Sequence, residues 1–287
     1  MRVPDDLSIR DAMLDDMPAI GELRLAVGWT VHEWALRIVI GVAHARCVVA
    51  VDTDGRLAGV GSGIAYGPLG FIGNMVVAEK HRRRGLGSAI LGAVIGFLDE
   101  AGCRRLELNA TSDGRPLYER HGFETLGTSA TARIPRSAPT SPDQSFPVRR
   151  ATGDELDQLV AFDAARFGGD RRPLLAALLA DPGSEGIVAQ RDGVLAGYAI
   201  LRLDAPRVGP LLADDPTVAE ALLREAFDRA PNVDALRLNL PPGNRAGSEW
   251  LRGLGVEIEP WDGRMGRGPS IPRRDDTVYG MAVGALG

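Results

Sequence analysis

One stretch of the chain carries a helical pattern of unusual regularity. Leu86, Ala89, Ile90, Ala93, Val94, Phe97 and Leu98 recur at three-and-four spacing, which predicts a helix from about 86 to 101 with one buried face. Before it, Phe71–Val77 is apolar and rich in Ile, Met and Val, as a buried strand is. Val48–Gly59 predicts a hairpin, two apolar runs joined by the turn Asp54-Gly55. Further helices are predicted from Arg10 to about Val27, with its body over about 12–26, and over about 31–41. A strand is predicted at Arg105–Asn109, a short helix at about 115–121 and a strand pair from Phe123. Antiparallel strands followed by a strand–turn–helix–strand unit describe an α/β fold, a mixed and mostly antiparallel twisted sheet with helices on both faces.

The pattern repeats at an offset of about 138 positions. Ile187–Gly197 reads as a second hairpin, with Asp192-Gly193 at its turn. An Arg-led amphipathic helix, Arg150 to about Phe167, precedes it as Arg10 to Val27 precedes the first, and Tyr118–Phe123 has an echo in Leu251–Val256. Between the halves, Ser137–Pro147 is rich in Pro and Ser and reads as a linker. The expectation is two similar domains, residues 1–136 and 148–287, joined by 137–147. A length of 287 residues, with 45% hydrophobic and 25% charged side chains, suits two globular domains. The longest clean apolar stretch, Ala89–Leu98, is about half of a membrane span, and Met1–Asp6 has no basic-then-apolar leader. No membrane partner is therefore expected. A net charge of −5 argues against nucleic acid as a bulk partner. Cys47 and Cys103 make neither a disulfide framework nor a metal knuckle, the histidines lack metal-ligand spacing, and a reducing cytoplasmic setting with no metal is expected.

The chemistry is concentrated in Phe71–Ser88. A strand runs into the basic turn Arg82-Arg83-Arg84-Gly85-Leu86-Gly87, which opens the patterned helix. The first turn of a helix presents unpaired N–H groups and the positive end of its dipole. Gly85 and Gly87 clear side chains from that position, Ser88 follows, and the arginines add counter-charge, so the segment reads as a pyrophosphate cradle. The dinucleotide fingerprint G-x-G-x-x-G is a weak match, since its third glycine is Ile90 here, although Glu107 lies about 20 residues on. A nucleotide-triphosphate loop is excluded, because no G-K-[ST] follows the glycines.

An apolar strand followed by R-x-x-G-x-G at a helix start resembles the acetyl-CoA-binding motif of the GNAT acyltransferase superfamily. Leu106–Thr111 and then Gly114–Phe123 resemble that family's next strand and its "LYE-x-x-GF" helix. The likeness covers residues 1 to about 136. The second half resembles a degenerate GNAT-like domain: its strand Gly209–Ala213 leads into Asp214-Asp215-Pro216 without a glycine-rich basic turn, and Leu251 stands where Tyr118 does. Two tandem GNAT-like domains with one cofactor site, in the first, are thus implied.

The resemblance implies transfer of acetyl from acetyl-CoA to a primary amine by direct attack, without a metal. It makes Tyr118 the acid that protonates the leaving thiolate. A phenol ionises near about 10 and a thiol near about 8.5, so such a donation is chemically reasonable. It also implies that the backbone of Met75, Val76 and Val77 pairs with the pantetheine arm as an added strand would. Asn109, at the end of the adjacent strand, is placed to bond that arm or a water; Glu107, Glu33 and a water chain stay open as the base. The acceptor pocket is expected at Gly28–Trp34, where Trp29, His32, Glu33 and Trp34 cluster, and a core position for either tryptophan is equally open. A small-molecule amine is the implied acceptor. Support, a pocket wall or a homodimer surface are the roles left to the second domain. A non-catalytic acyl-CoA-binding sensor is the competing reading, and a dinucleotide enzyme is a distant third.

Overall fold

The computed structural model describes residues 4–138 and 146–287, so most of the expected linker lies outside the described residues. The chain divides into two compact units. One comprises Met1–Glu124, Met265–Ser270 and Leu286; the other comprises Thr125–Arg264, Ile271–Ala285 and Gly287.

The first unit contains β1 (Leu7–Asp11), β2 (Ala45–Asp52), β3 (Leu57–Tyr66), β4 (Leu69–Val77) and β5 (Arg105–Ala110). They lie side by side in that order, antiparallel from β1 to β4, with β4 and β5 parallel. Its helices are α1 (Met17–Ala26), α2 (Glu33–Gly41), α3 (Leu86–Glu100) and α4 (Arg115–Arg120). Side chains alternate across a strand. Val48, Ala50 and Ile72 accordingly meet Ile90, Val94 and Leu98 of α3 in one core, while Cys47, Val49 and Phe71 are buried on the opposite face, which α1 and α2 cover. The helix lies close because β3 offers a row of glycines. A Cβ at Gly59, Gly61 or Gly63 would fall 2.8, 2.5 or 2.8 Å from a side-chain carbon of Ile90 or Val94.

The second unit repeats the plan with β6 (Glu124–Pro135), β7 (Val148–Arg150), β8 (Ser184–Arg191), β9 (Val194–Arg202), β10 (Arg207–Ala213), β11 (Ala235–Leu240) and β13 (Val278–Gly280). Its strand order is β6-β11-β10-β9-β8-β7, with β13 pairing β10. Helix α7 (Pro216–Arg229) packs on β8, β9 and β10; α5 (Leu156–Phe167) and α6 (Arg172–Ala180) pack on β9 and β8, and α8 (Arg245–Gly253) follows β11. The remaining strand, β12 (Ile258–Arg267), is shared: Met265 and the residues after it count with the first unit, where Met265 is fully buried in the core.

Three details differ from the sequence expectation. The helices expected from Arg10 and Arg150 begin only at Met17 and Leu156, because the arginines sit at the ends of short edge strands, β1 and β7. In each case an arginine of the strand, Arg10 in β1 and Arg149 in β7, forks onto an acid six positions on. Arg10 donates to both Asp16 oxygens at 2.7 Å, and Arg149 to those of Glu155 at 2.7 and 2.9 Å. The same acid accepts the N–H of Met13 or Thr152 at 2.7 Å and so starts the helix late. Second, the strand pair expected from Phe123 is one long strand, β6. Third, β6 from Thr125 onward counts with the second unit and not with the first, because Ala130–Pro135 pairs in continuous antiparallel register with β11.

Candidate active site

The basic turn folds as the glycines require. Arg83 and Gly85 both take left-handed backbone, φ +58° and +84°, and Gly85 becomes the N-cap of α3. The first backbone bond of the helix runs from Ala89 N–H to Gly85 O at 3.1 Å. The N–H groups of Leu86, Gly87 and Ser88 are thereby left without an intrahelical acceptor, at the positive end of a fifteen-residue helix. Leu86 and Ser88 are buried beneath the turn, and nothing lies within 4 Å of the position a Cβ would take at Gly85. The arginines divide their work. Arg84 donates to Asp6 at 2.7 Å, holding that carboxyl below its usual range, and to Nδ1 of His81 at 3.3 Å. Arg82 folds back onto the Val77 carbonyl at 3.1 Å. Arg83 is exposed and has no carboxylate partner among the described residues. Such a turn can accept a dianionic phosphate chain on bare amides with cationic side chains beside it.

The turn adjoins a gap in the sheet. Parallel pairing of β4 with β5 runs from Leu69–Arg105 to Ile72–Leu108 and ends there. Beyond it β4 bulges: Val60 faces Val76 and Ser62 faces Gly73, so Asn74 and Met75 together oppose Gly61. The stretch Gly73–Val77, containing Met75, Val76 and Val77, therefore leaves a strand edge unpaired by β5, and Asn109 lies just past the last pair. Tyr118 joins this region from α4. It is 6% exposed and packs in the same apolar cluster as Leu86, Met75, Val77 and Leu117, with an edge contact to Phe123 at 6.0 Å between centroids. Where Gly87 would carry a Cβ, Leu117 and Val77 stand 3.5 and 3.6 Å away, so the starts of α3 and α4 and the end of β4 converge.

The carboxylates fare differently. Glu107 is 1% exposed and accepts from Arg105 at 3.1 Å, whose other end donates to the Gly268 carbonyl at 2.7 Å. A carboxylate held in a buried ion pair is a poor proton shuttle, so the geometry speaks for a structural Glu107. Glu33 is exposed at the start of α2 and stands 3.8 Å from Arg37. Of the aromatic cluster, Trp34 is 5% exposed and belongs to the core, whereas Trp29 and His32 are half-buried in the preceding loop, the His32 ring 6.0 Å from that of Trp34. The sequence reading passed over Arg24, Asn74 and Ser62. Asn74 is buried with φ +56°, rare for a side-chain-bearing residue, and donates to Ser62 Oγ at 2.8 Å while accepting from Arg24. Arg24 also donates to the Thr30 carbonyl at 2.7 Å and lies 5.5 Å from the centre of the Trp29 ring; burial pushes its ionisation below the ordinary guanidinium range. The available signal was a lone Asn inside an apolar strand, which marks a bulge.

Residues 10–123 match the model of the acetyltransferase (GNAT) family, and residues 159–280 match a second acetyltransferase (GNAT) domain. The chain belongs to the GNAT superfamily. It is a tandem GNAT protein and an N-acetyltransferase by family. Similar proteins include the uncharacterized N-acetyltransferase YitH of Bacillus subtilis, 28% identical over 77% of this chain and 78% of YitH. Holothin acyltransferase of a Pseudoalteromonas species is 26% identical over 76% of this chain and 73% of its own. Among solved structures, a Pyrococcus horikoshii protein assigned as an acetyltransferase superimposes with a TM-score of 0.84 over 100% of this chain and 98% of its own, at 22% identity, a likeness of fold.

The two GNAT units differ at the place corresponding to the gap. In the second, β10 and β11 pair only at Arg207–Arg237, and β13 then lies antiparallel to β10, with Leu211 opposite Gly280 and Leu212 opposite Val278. On its other side, Met281 N–H donates to the Asn239 carbonyl of β11 at 2.8 Å. The space between the diverging strands is filled by the chain itself, so tightly that a Cβ on Gly209 would meet the Met281 oxygen at 2.0 Å. The helix that follows is closed as well: Asp215 caps α7, accepting from Val218 N–H at 3.1 Å and pairing with Arg191. A carboxylate stands where the first unit leaves bare amides. Among the described residues no group of His, Cys, Asp and Glu is arranged to hold a metal, and no helix is long and apolar enough to cross a membrane. Both cysteines are buried, which pushes the Cys47 thiol up to about 12 and Cys103 to about 11, away from nucleophilic use.

Proposed function

We propose that the first unit transfers acetyl from acetyl-CoA to the primary amine of a small molecule. The observation that carries this reading is the run of three bare amides opening α3 beside an unpaired stretch of β4. The amides of Leu86, Gly87 and Ser88 take the pyrophosphate, with Arg83 as a free cation and Arg82 and Arg84 at the flanks. The edge at Met75, Val76 and Val77 takes the pantetheine arm as an added strand, with Asn109 at the mouth of the gap. The amine approaches from the side of Trp29 and His32, its nitrogen attacks the thioester carbonyl carbon, the C–S bond breaks, and Tyr118 gives its phenolic proton to the departing sulfur. The ion pair of Glu107 and the exposure of Glu33 favour water as the immediate base. A relative named as an acyltransferase of holothin, and not of a protein, fits this choice of acceptor. The second unit, with its gap filled by β13, binds no acetyl-CoA.

Calorimetry with acetyl-CoA and a coenzyme A release assay over a panel of small amines test this together. Tyr118→Phe should bind acetyl-CoA as the parent does and lose about 10²–10⁴-fold in kcat. Wild-type kcat in that variant removes Tyr118 from the acid role. Binding without release across the panel identifies a sensor, and an absence of binding removes the site.

A further inference from the structure

Three parts of the first unit meet at one guanidinium. Arg24, near the end of α1, reaches forward to the Thr30 carbonyl with Nη2 at 2.7 Å and Nε at 3.3 Å, and its plane lies near the Trp29 ring. Its Nη1 donates to Asn74 Oδ1, fifty positions on, in the β4 bulge. The relay continues in one donor direction: Asn74 Nδ2 donates to Ser62 Oγ at 2.8 Å, and Ser62 Oγ donates to the Gly73 carbonyl at 3.2 Å, on the last residue before the bulge. Asn74 adopts left-handed backbone inside a strand, a conformation that persists only where the surroundings over-determine it. Two of those surroundings are Arg24 and Ser62. The Arg24 charge is met only by neutral oxygens and an aromatic ring, with no carboxylate among the described residues. The two groups it joins are the loop expected to receive the acceptor and the strand expected to receive the acetyl arm.

We propose that Arg24 is a positioning residue that couples order in the loop Gly28–His32 to occupancy of the β4 edge by acetyl-CoA. The inference rests on the acetyl-CoA site proposed above. A ligand paired along Met75–Val77 fixes the bulge, the bulge fixes Asn74, and Asn74 holds the guanidinium that tethers Thr30. The coupling is reciprocal, so an acceptor that orders the loop also raises the affinity for acetyl-CoA.

Hydrogen exchange of residues 28–32 in the full-length chain, with and without saturating acetyl-CoA, reads this directly. In the parent, acetyl-CoA should slow exchange in the loop by about 5-fold or more, the lower end of ordinary site–site coupling. Arg24→Gln and Arg24→Lys should abolish that ratio, the latter because a point ammonium cannot span Thr30 and Asn74 as a fork does. Asn74→Gly keeps the bulge backbone allowed and removes the acceptor; it should abolish the ratio equally, and the Arg24→Gln/Asn74→Gly double variant should lose nothing more. A merely structural Arg24 gives faster exchange in both states at an unchanged ratio, which overturns the proposal, as does a parent loop indifferent to bound acetyl-CoA. Should Arg24→Gln fail to fold, Asn74→Gly decides alone. Failure of the parent to bind acetyl-CoA at all is the separate result that removes the site and the coupling with it.

Discussion

The close seating of α3 on β3 ties stability to the candidate cofactor turn, and Gly61→Ala probes that link. A Cβ at position 61 falls 2.5 Å from Ile90 Cγ2 and 2.6 Å from Met75 Sδ. Ordinary carbon contacts lie at about 3.5–4.0 Å, so the methyl intrudes by about 1 Å. The thioether can swing aside, but the branch of Ile90 is fixed by its helical rotamer, so α3 itself must move. Overpacking of this kind costs about 1–3 kcal/mol, and each kcal/mol lowers Tm by about 2–4 °C in a protein of this size. Because Ile90 is one turn from Leu86, the same displacement shifts the amides that open the helix, and Met75 belongs to the bulge; acetyl-CoA affinity should therefore fall with stability. Gly92→Ala is the internal control. It lies on α3 with nothing within 4 Å of its Cβ position, so helix propensity alone should raise stability by up to about 1 kcal/mol, with affinity unchanged. Thermal unfolding and calorimetry on the three proteins decide the matter. A Gly61→Ala protein with parental Tm and parental affinity would refute the claim that the glycine row sets the position of the turn.

Three further outcomes are expected. Arg149 and the Thr152 amide hold the Glu155 carboxyl at about 2, below its ordinary 4.5, so its contribution is complete above about pH 4.5 and drains away as the pH falls toward 2; Tm should drop less steeply over that window in Glu155→Gln than in the parent. Asp163 and Arg171 are fully buried and paired at 2.6 Å, with Tyr198 donating to the same carboxylate, so Asp163→Asn takes the charge out of a buried, doubly hydrogen-bonded ion pair and should cost about 3–5 kcal/mol in urea unfolding; a loss below about 1 kcal/mol contradicts that account. Calorimetric titration should return one acetyl-CoA per chain, since β13 fills the second gap, and a value of two would show that the segment yields.

The sequence disclosed most where neighbours along the chain decide the structure. The strand–turn–helix–strand run from Phe71 to Ala110 was legible because its periods change where the glycines fall, and Tyr118 because Pro116 and Gly122 bracket its helix. Short edge strands were not: Leu7–Asp11 offers two apolar residues, too few to outweigh the helical pattern after it. Arg105 and Glu107 stand two apart on one strand and so share a face, a pairing that alternation alone allows one to anticipate. Arg24 and Asn74 lie fifty positions apart and are joined by tertiary structure, which no local pattern announces. Trp34 was undecidable from composition because a helix start can turn an aromatic either way; here α2 buries it.

The strand assignments bear on how such a protein can be dissected. The stretch Thr125–Pro135 serves the second unit although it precedes the expected linker, and Met265–Ser270 serves the first although it follows that linker. A fragment ending before residue 137 would carry away a strand it cannot use and leave behind the methionine that completes its own interior. Anyone wishing to isolate the first unit would do better to permute the chain than to shorten it.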